Sequence, residues 1–465
     1  MKHKANLLML TALLAAATDI SGRPVITQQP TNQMPSIGSN VTFSVTATGA
    51  PPLTYQWRFN GTDLPSQTNS SLGLTNVQFI NAGPHRVVVS NNDGTVTSDI
   101  AWLSVLPTNV VNLGDLELSF GVSTNLSALN SPRYDDAATL TGDGLTIFFC
   151  SDRSGGLGGL DIWLATRATV STPWGVPVNL GASVNTASNE GDPSISSDGL
   201  SLYFFSNRTG SAGPADIWVA TRPVLSDPFG TPVNLGPAVN SAWEEFTPCI
   251  SADGLTLLFS ALDRPGGLGA TDIWISTRTN RSTPWEPARN LGEPVNTVHF
   301  QHFQHSPCLS ADGLLLFYHD NRTTVGRHGR VWVSKRATTA SPFRPPVMIR
   351  AIAEVEATFR TRPHAISADG TTLYFASDRS GGLGDWDIWQ ISVTRLPVLA
   401  APGVNGSGEF QFELLGREGA TYEIQSSPDL STWTTWLTTN ATGSVQLRDS
   451  ALVPGDRRFY RALSH

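Results

Sequence analysis

The sequence predicts an all-β chain: a five-bladed β-propeller over residues 108–396, flanked by a small β-sandwich at 25–106 and a sandwich-like β-domain at 409–465. Three observations predict it. One motif recurs five times across the middle of the chain, short apolar runs alternate with period two at both ends, and turn formers crowd out charge. Charged residues make up 15% of the 465, while 42 Gly and 31 Pro favour many short strands joined by turns. At this length a chain holds about three domains.

The motif is an Asp-Gly turn followed by an apolar strand. Its aspartates are Asp143, Asp198, Asp253, Asp312 and Asp369, at intervals of 55, 55, 59 and 57 residues. An arginine then recurs (Arg153, Arg208, Arg264, Arg322, Arg379), and a Gly-rich hairpin leads to a strand bearing Trp163, Trp218, Trp274, Trp332 or Trp389. A fourth element (Trp174-Gly175-Val176-Pro177) returns in weaker form at Phe229, Trp285 and Phe343. Four strands in about 55 residues is the size of one propeller blade. The fourth element is missing after Arg395 but occurs early, as Phe120–Leu126, so that segment is expected to complete the last blade and cover its edge. The pattern Ser-Ala-Asp-Gly, Ser-Asp-Arg and Asp-Ile-Trp resembles the TolB-type, WD40-like repeat of exported bacterial proteins. That resemblance implies a binding platform more often than an enzyme.

In residues 25–106, Val41–Val45 alternates, Tyr55–Phe59 follows, and Asn60-Gly61 marks a hairpin turn. With the run Ala82–Asn91 this resembles an immunoglobulin-like domain, Trp57 being the buried tryptophan of its third strand. Val45 and Val87 stand where the family's bridging cysteines would be, and His85 replaces its corner tyrosine. After a Pro/Gly/Ala linker at 397–408, Phe410–Leu414 and Thr421–Gln425 alternate again, resembling a C-terminal β-domain of exported multidomain proteins.

Lys2, His3 and Lys4, the apolar run Leu7–Leu14 and Ala15-Ala16-Ala17 read as an export signal over residues 1–17, too short to span a bilayer. A secreted or periplasmic protein without a transmembrane segment is expected, and a monomer. Three cysteines, Cys150, Cys249 and Cys308, are an odd set and no disulfide framework; Cys249 and Cys308 read as small buried residues of inner strands. A formal net charge of −8 with no basic stripe argues against nucleic acid.

No nucleophile elbow, His-Glu-x-x-His, phosphate loop or paired-cysteine metal spacing is present. The repeated Asp, Arg and Trp read as scaffold, the arginines pairing with Asp152, Asp263 and Asp378 or with Asp161, Asp216, Asp272 and Asp387. No cofactor is expected; calcium in the loops 152–161 or 378–387 is the one option considered. Function is sought where the repeats differ, just before each inner strand. Asp135, Glu190 and Glu245 occupy that position, then Gln304 and Thr361, while Asp136, Asp192 and Glu244 give way to His302 and His305, then Arg360 and Arg362. Asp135, Glu190, Glu245, His302, His305, Arg360 and Arg362 are therefore the candidate ligand-binding residues. A rim acidic on one side and cationic on the other suits a protein, peptide or glycan. His302 and His305 form a weak metal pair, since their spacing in an extended chain puts them on opposite faces. The expected function is exported, non-enzymatic binding; the alternative is a glycosidase-like enzyme using Asp135, Glu190 and Glu245.

Overall fold

The computed structural model describes residues 22–33, 35, 39–77, 81, 83–103, 110–113, 116–322, 329–353, 360–404, 410–416, 421–427, 434–440, 444–449 and 458–464. The expected export signal lies outside them. The chain divides into two compact units, Met1–Thr108 and Asn109–His465.

The first unit is a two-layered β-structure. Thr54–Phe59 pairs with Gly83–Asn91, which also carries Gly94–Thr97 and Ala101–Leu103; Val41–Ser44 pairs with Ser71–Leu74. Alternation puts Val41, Phe43 and Val45 inward, against Trp57, Leu72, Val87 and Val89. The Trp57 indole donates to the Asn69 carbonyl at 3.0 Å. Val45 and Val87 are both buried, so two aliphatic side chains occupy the cysteine positions. His85 is buried with its ring centroid 4.9 Å from those of both Phe43 and Phe59, and burial lowers its pKa.

The second unit holds the five repeats. The first runs Asp135–Leu140, Thr146–Ser151, Asp161–Thr166 and Val178–Asn179, as an antiparallel ladder in that order. The second repeats it with Glu190–Ile195, Ser201–Ser206, Asp216–Thr221 and Val233–Asn234. The Asp-Gly turns follow from local chemistry. Asp143 Oδ1 accepts from Thr141 Oγ1 at 2.6 Å and from the Leu145 amide at 2.9 Å, and Gly144 takes φ +68°, a left-handed conformation that glycine adopts freely. Each first strand carries a bulge, with Ala137, Asp192, Thr247 and Ser306 at φ between 47° and 59° in the first four repeats. First strands of successive repeats lie side by side: the Ile195 amide donates to Thr139 Oγ1, Ile250 to Ser194 Oγ, and Leu309 to Cys249 Sγ at 3.3 Å. Cys249 thus does the work of a hydroxyl acceptor, and all three thiols are free and buried.

The five-bladed propeller expected from the repeat count is corrected here. The repeats form four unequal sheets, of six, four, four and eight strands, not a closed set of five equal blades. The physical reason lies in His299–Leu309, an eleven-residue strand longer than its counterparts. It reaches back to pair in parallel with Gly269–Thr277 (Gly269↔His299, Thr271↔Phe303), which welds the third and fourth repeats into one sheet. The six-stranded sheet combines the last repeat with Val110–Asn112, Glu117–Phe120 and Thr124–Asn125, the last pairing Asn125 with Trp389.

At the C-terminus, Val398–Val404, Phe410–Leu415 and Ser444–Asp449 form one three-stranded sheet, and Thr434–Asn440, Thr421–Ser427 and Phe459–Ser464 another. Phe412, Leu414, Tyr422, Ile424 and Leu447 are their common core. The stretch read as a linker is in part a strand: Val398 pairs with Leu415, and a register shift between Ala400 and Gly403 accommodates Pro402. Among the described residues no helix is long and apolar enough to cross a membrane.

Candidate functional site

Asp135 and Glu190 begin the first strands of their repeats and Glu245 is the second residue of Glu244–Ile250, and each is 0% exposed. Glu190 accepts from the Thr186 amide (2.6 Å), Thr186 Oγ1 (2.8 Å) and Ser206 Oγ (2.8 Å), and lies 3.1 Å from Arg208 Nη2. Asp135 does the same with Ser131 and Arg153, and Glu245 with Ser241 and Arg264. Burial raises the pKa of Asp135 and Glu245 against these partners. The arginines also stack on the tryptophan of their own repeat, 4.5–5.3 Å from the ring centroid. The arginines of the first three repeats therefore pair with this column, not with the aspartates expected from sequence. Asp161, Asp216, Asp272 and Asp387 instead accept backbone amides of the Gly-rich hairpins.

The last two repeats depart from this pattern. In the fourth, Asp320 on the second strand takes over the carboxylate role for Arg322, and Gln304 donates to it at 3.1 Å. In the fifth, Thr361 offers no carboxylate, and burial lowers the Arg379 pKa to about 10.

A different set of ionisable groups gathers where the first strands of the first and last repeats meet. His364 Nε2 is 2.6 Å from Asp136 Oδ1, and Arg362 Nη1 is 3.2 Å from Asp136 Oδ2, which also accepts from the Tyr134 hydroxyl. Burial alone would raise the Asp136 pKa, but His364 and Arg362 outweigh it and hold the carboxyl below the usual range. Asp192, on the bulge of the second repeat, accepts from the Thr247 amide at 3.2 Å. Burial, then the Asp136 charge, raises its pKa to about 6. His305 stacks on His319 at 4.2 Å; burial first, then the neighbouring cations, lowers both pKa values, that of His319 to about 3.

Arg360 and Arg362 both lie over the indole of Trp386, at 4.9 and 4.6 Å. Thus Arg362, Arg360 and His305 of the sequence candidates border this cluster, while Asp135, Glu190 and Glu245 turn away into the scaffold. His302 is elsewhere, stacked on His299 with its Nδ1 2.7 Å from Thr297 Oγ1, so His302 and His305 do not converge on a metal. Among the described residues, no three His, Cys, Asp or Glu side chains are placed to hold one. Tyr134, His364 and Trp386 were not among the sequence candidates.

Residues 23–91 match the immunoglobulin domain family. A 100-residue stretch is 33% identical to cartilage intermediate layer protein 2 of Mus musculus, covering 21% of this chain and 9% of that protein. Among solved structures, the tandem immunoglobulin repeats of Dlar share 27% identity over 18% of this chain and 49% of theirs, at a TM-score of 0.18. The titin M4 domain shares 25% over 18% of this chain and 95% of its own, at 0.17. The immunoglobulin-like reading of the first unit stands on the family match. The resemblance to a TolB-type, WD40-like propeller repeat is corrected: the family match in this chain is an immunoglobulin domain over residues 23–91, and the repeats form unequal sheets in place of a closed propeller.

Proposed function

We propose that the chain is an exported binding or scaffold protein whose partner is a protein or peptide. The burial of Asp135, Glu190 and Glu245 carries this reading. A glycosidase needs two carboxyl groups open to the substrate, one proton donor and one base or nucleophile. These three are sealed from solvent and saturated by hydroxyl, amide and guanidinium donors. The polar groups that do reach solvent near the cluster are arginines beside aromatic rings, which suits recognition. The immunoglobulin match and the relative named for a cartilage layer support the same reading, including export.

The test is to probe the full chain on defined peptide and glycan arrays, with a parallel turnover assay on polysaccharides. Saturable peptide binding without turnover is expected. Turnover abolished by Glu190→Gln would replace this reading with the enzymatic one.

A further inference from the structure

The end of the second unit at which the first strands begin has a distinct surface. There, among the described residues, four Gly-rich hairpins abut the approach to, or the start of, the next repeat's first strand. Gly158 presses on the Ser188 carbonyl, Gly213 on Trp243, Gly269 on His302 and Gly384 on Arg133, so closely that an added Cβ would fall within 3 Å of backbone oxygen. Each of these junctions exposes one large apolar side chain: Leu157 (50%), Trp243 (40%), Val298 (70%) and Leu383 (54%). By the last junction, the Arg360 and Arg362 side chains are 43% and 30% exposed over the buried Trp386.

Each guanidinium is anchored by one carboxylate, Arg360 Nε to Asp378 Oδ2 at 2.8 Å and Arg362 Nη1 to Asp136 Oδ2 at 3.2 Å. Among the described residues, neither Nη of Arg360 nor Nη2 of Arg362 has an acceptor. The Trp386 indole packs against both planar groups, which removes rotamer entropy before any ligand arrives. Two preorganised guanidinium edges with open donors match a carboxylate.

We propose that Arg360, Trp386 and Arg362 form a carboxylate receptor for an acidic peptide segment, with the exposed Leu383 of the same junction taking a neighbouring apolar side chain. The proposal rests on the binding reading above and names its ligand. A peptide fits better than a uronic-acid polymer. Two arginines satisfy one or two carboxylates, a long polyanion would meet a chain of net charge −8, and the exposed Leu383 offers nothing to a uniformly charged glycan.

The probe is a fluorescent, end-blocked peptide Gly-Leu-Glu-Leu-Glu-Leu-Gly, titrated into the full chain at low salt beside its Gln-for-Glu counterpart and trigalacturonate. The Glu peptide should bind at least about tenfold more tightly than the Gln peptide, and Arg360→Gln should remove that advantage. Arg362→Lys, whose Asp136 contact is structural, is the second variant; Arg360→Gln alone suffices if it misfolds. Equal binding of both peptides, an unchanged advantage in Arg360→Gln, or binding of trigalacturonate alone overturns the proposal. If neither peptide binds while other array peptides do, this receptor is wrong and the broader binding reading stands.

Discussion

The first three repeats and the last two solve the same problem differently. In the first three, the stacked arginine finds a carboxylate on its own first strand: Asp135, Glu190 or Glu245. In the fourth the carboxylate has moved to the second strand as Asp320, and in the fifth the first strand has Thr361 in its place, leaving Arg379 only the charge of Asp378 nearby. The freed first strand of the fifth repeat carries Arg362 and His364, which face Asp136 instead. Charges that recur thus lie inside the scaffold, and charges that break the repeat gather into a cluster that is buried at Asp136 and His364 and reaches solvent through Arg360 and Arg362.

The largest expected effect tests the scaffold half of this contrast. Glu190→Ala leaves Arg208 buried without its partner and should destabilise the second unit by about 3–5 kcal/mol in denaturant unfolding. Thr361→Ala, at the matching position of the fifth repeat, should change stability by less than about 1 kcal/mol. Similar losses at both positions would erase the distinction between the repeats.

Asp192 sharpens the comparison through pH. Its folded pKa of about 6 lies above its ordinary 3.8, so the folded state holds the proton more tightly. Stability from this group is full below about pH 4 and falls as pH rises through 6. Asp192→Asn should therefore be more stable than the parent at pH 7.5 by about 1–3 kcal/mol, with the gap closing by pH 4. A gap independent of pH would show that Asp192 is not titrating in this range. A smaller effect is expected from Thr361→Glu, which restores a carboxylate beside Arg379 and should add about 1 kcal/mol. A loss there would mean that the fifth repeat lacks room for the pair.

Much of this was legible in the sequence, for physical reasons. The Asp-Gly turns announce themselves because Asp143 and its counterparts cap their own turns and the following glycine must take a left-handed conformation. Trp57, Val45 and Val87 could be placed by alternation. The direction of the charged side chains could not. Asp135 and Asp136 are neighbours, and a one-residue difference in a strand reverses the face. The bulge at Ala137, with φ 59°, further alters that register in a way no motif records. The welding of the third and fourth repeats was also hidden, since it depends on how far the strand from His299 extends and not on the repeat period. The strand at Val398–Val404 was masked by its Pro and Gly, which sit at a register shift and do not end the strand.

The central claim is that recurrent charge holds the unit together while divergent charge binds. It is tested most directly by measuring unfolding and Glu-peptide affinity on the same two variants of the full chain, Glu190→Gln and Arg360→Gln. The account predicts that Glu190→Gln loses stability and keeps the parent affinity in its folded fraction, whereas Arg360→Gln unfolds within about 0.5 kcal/mol of the parent and loses at least about tenfold in affinity. The opposite assignment, with affinity following Glu190 and stability following Arg360, would contradict it.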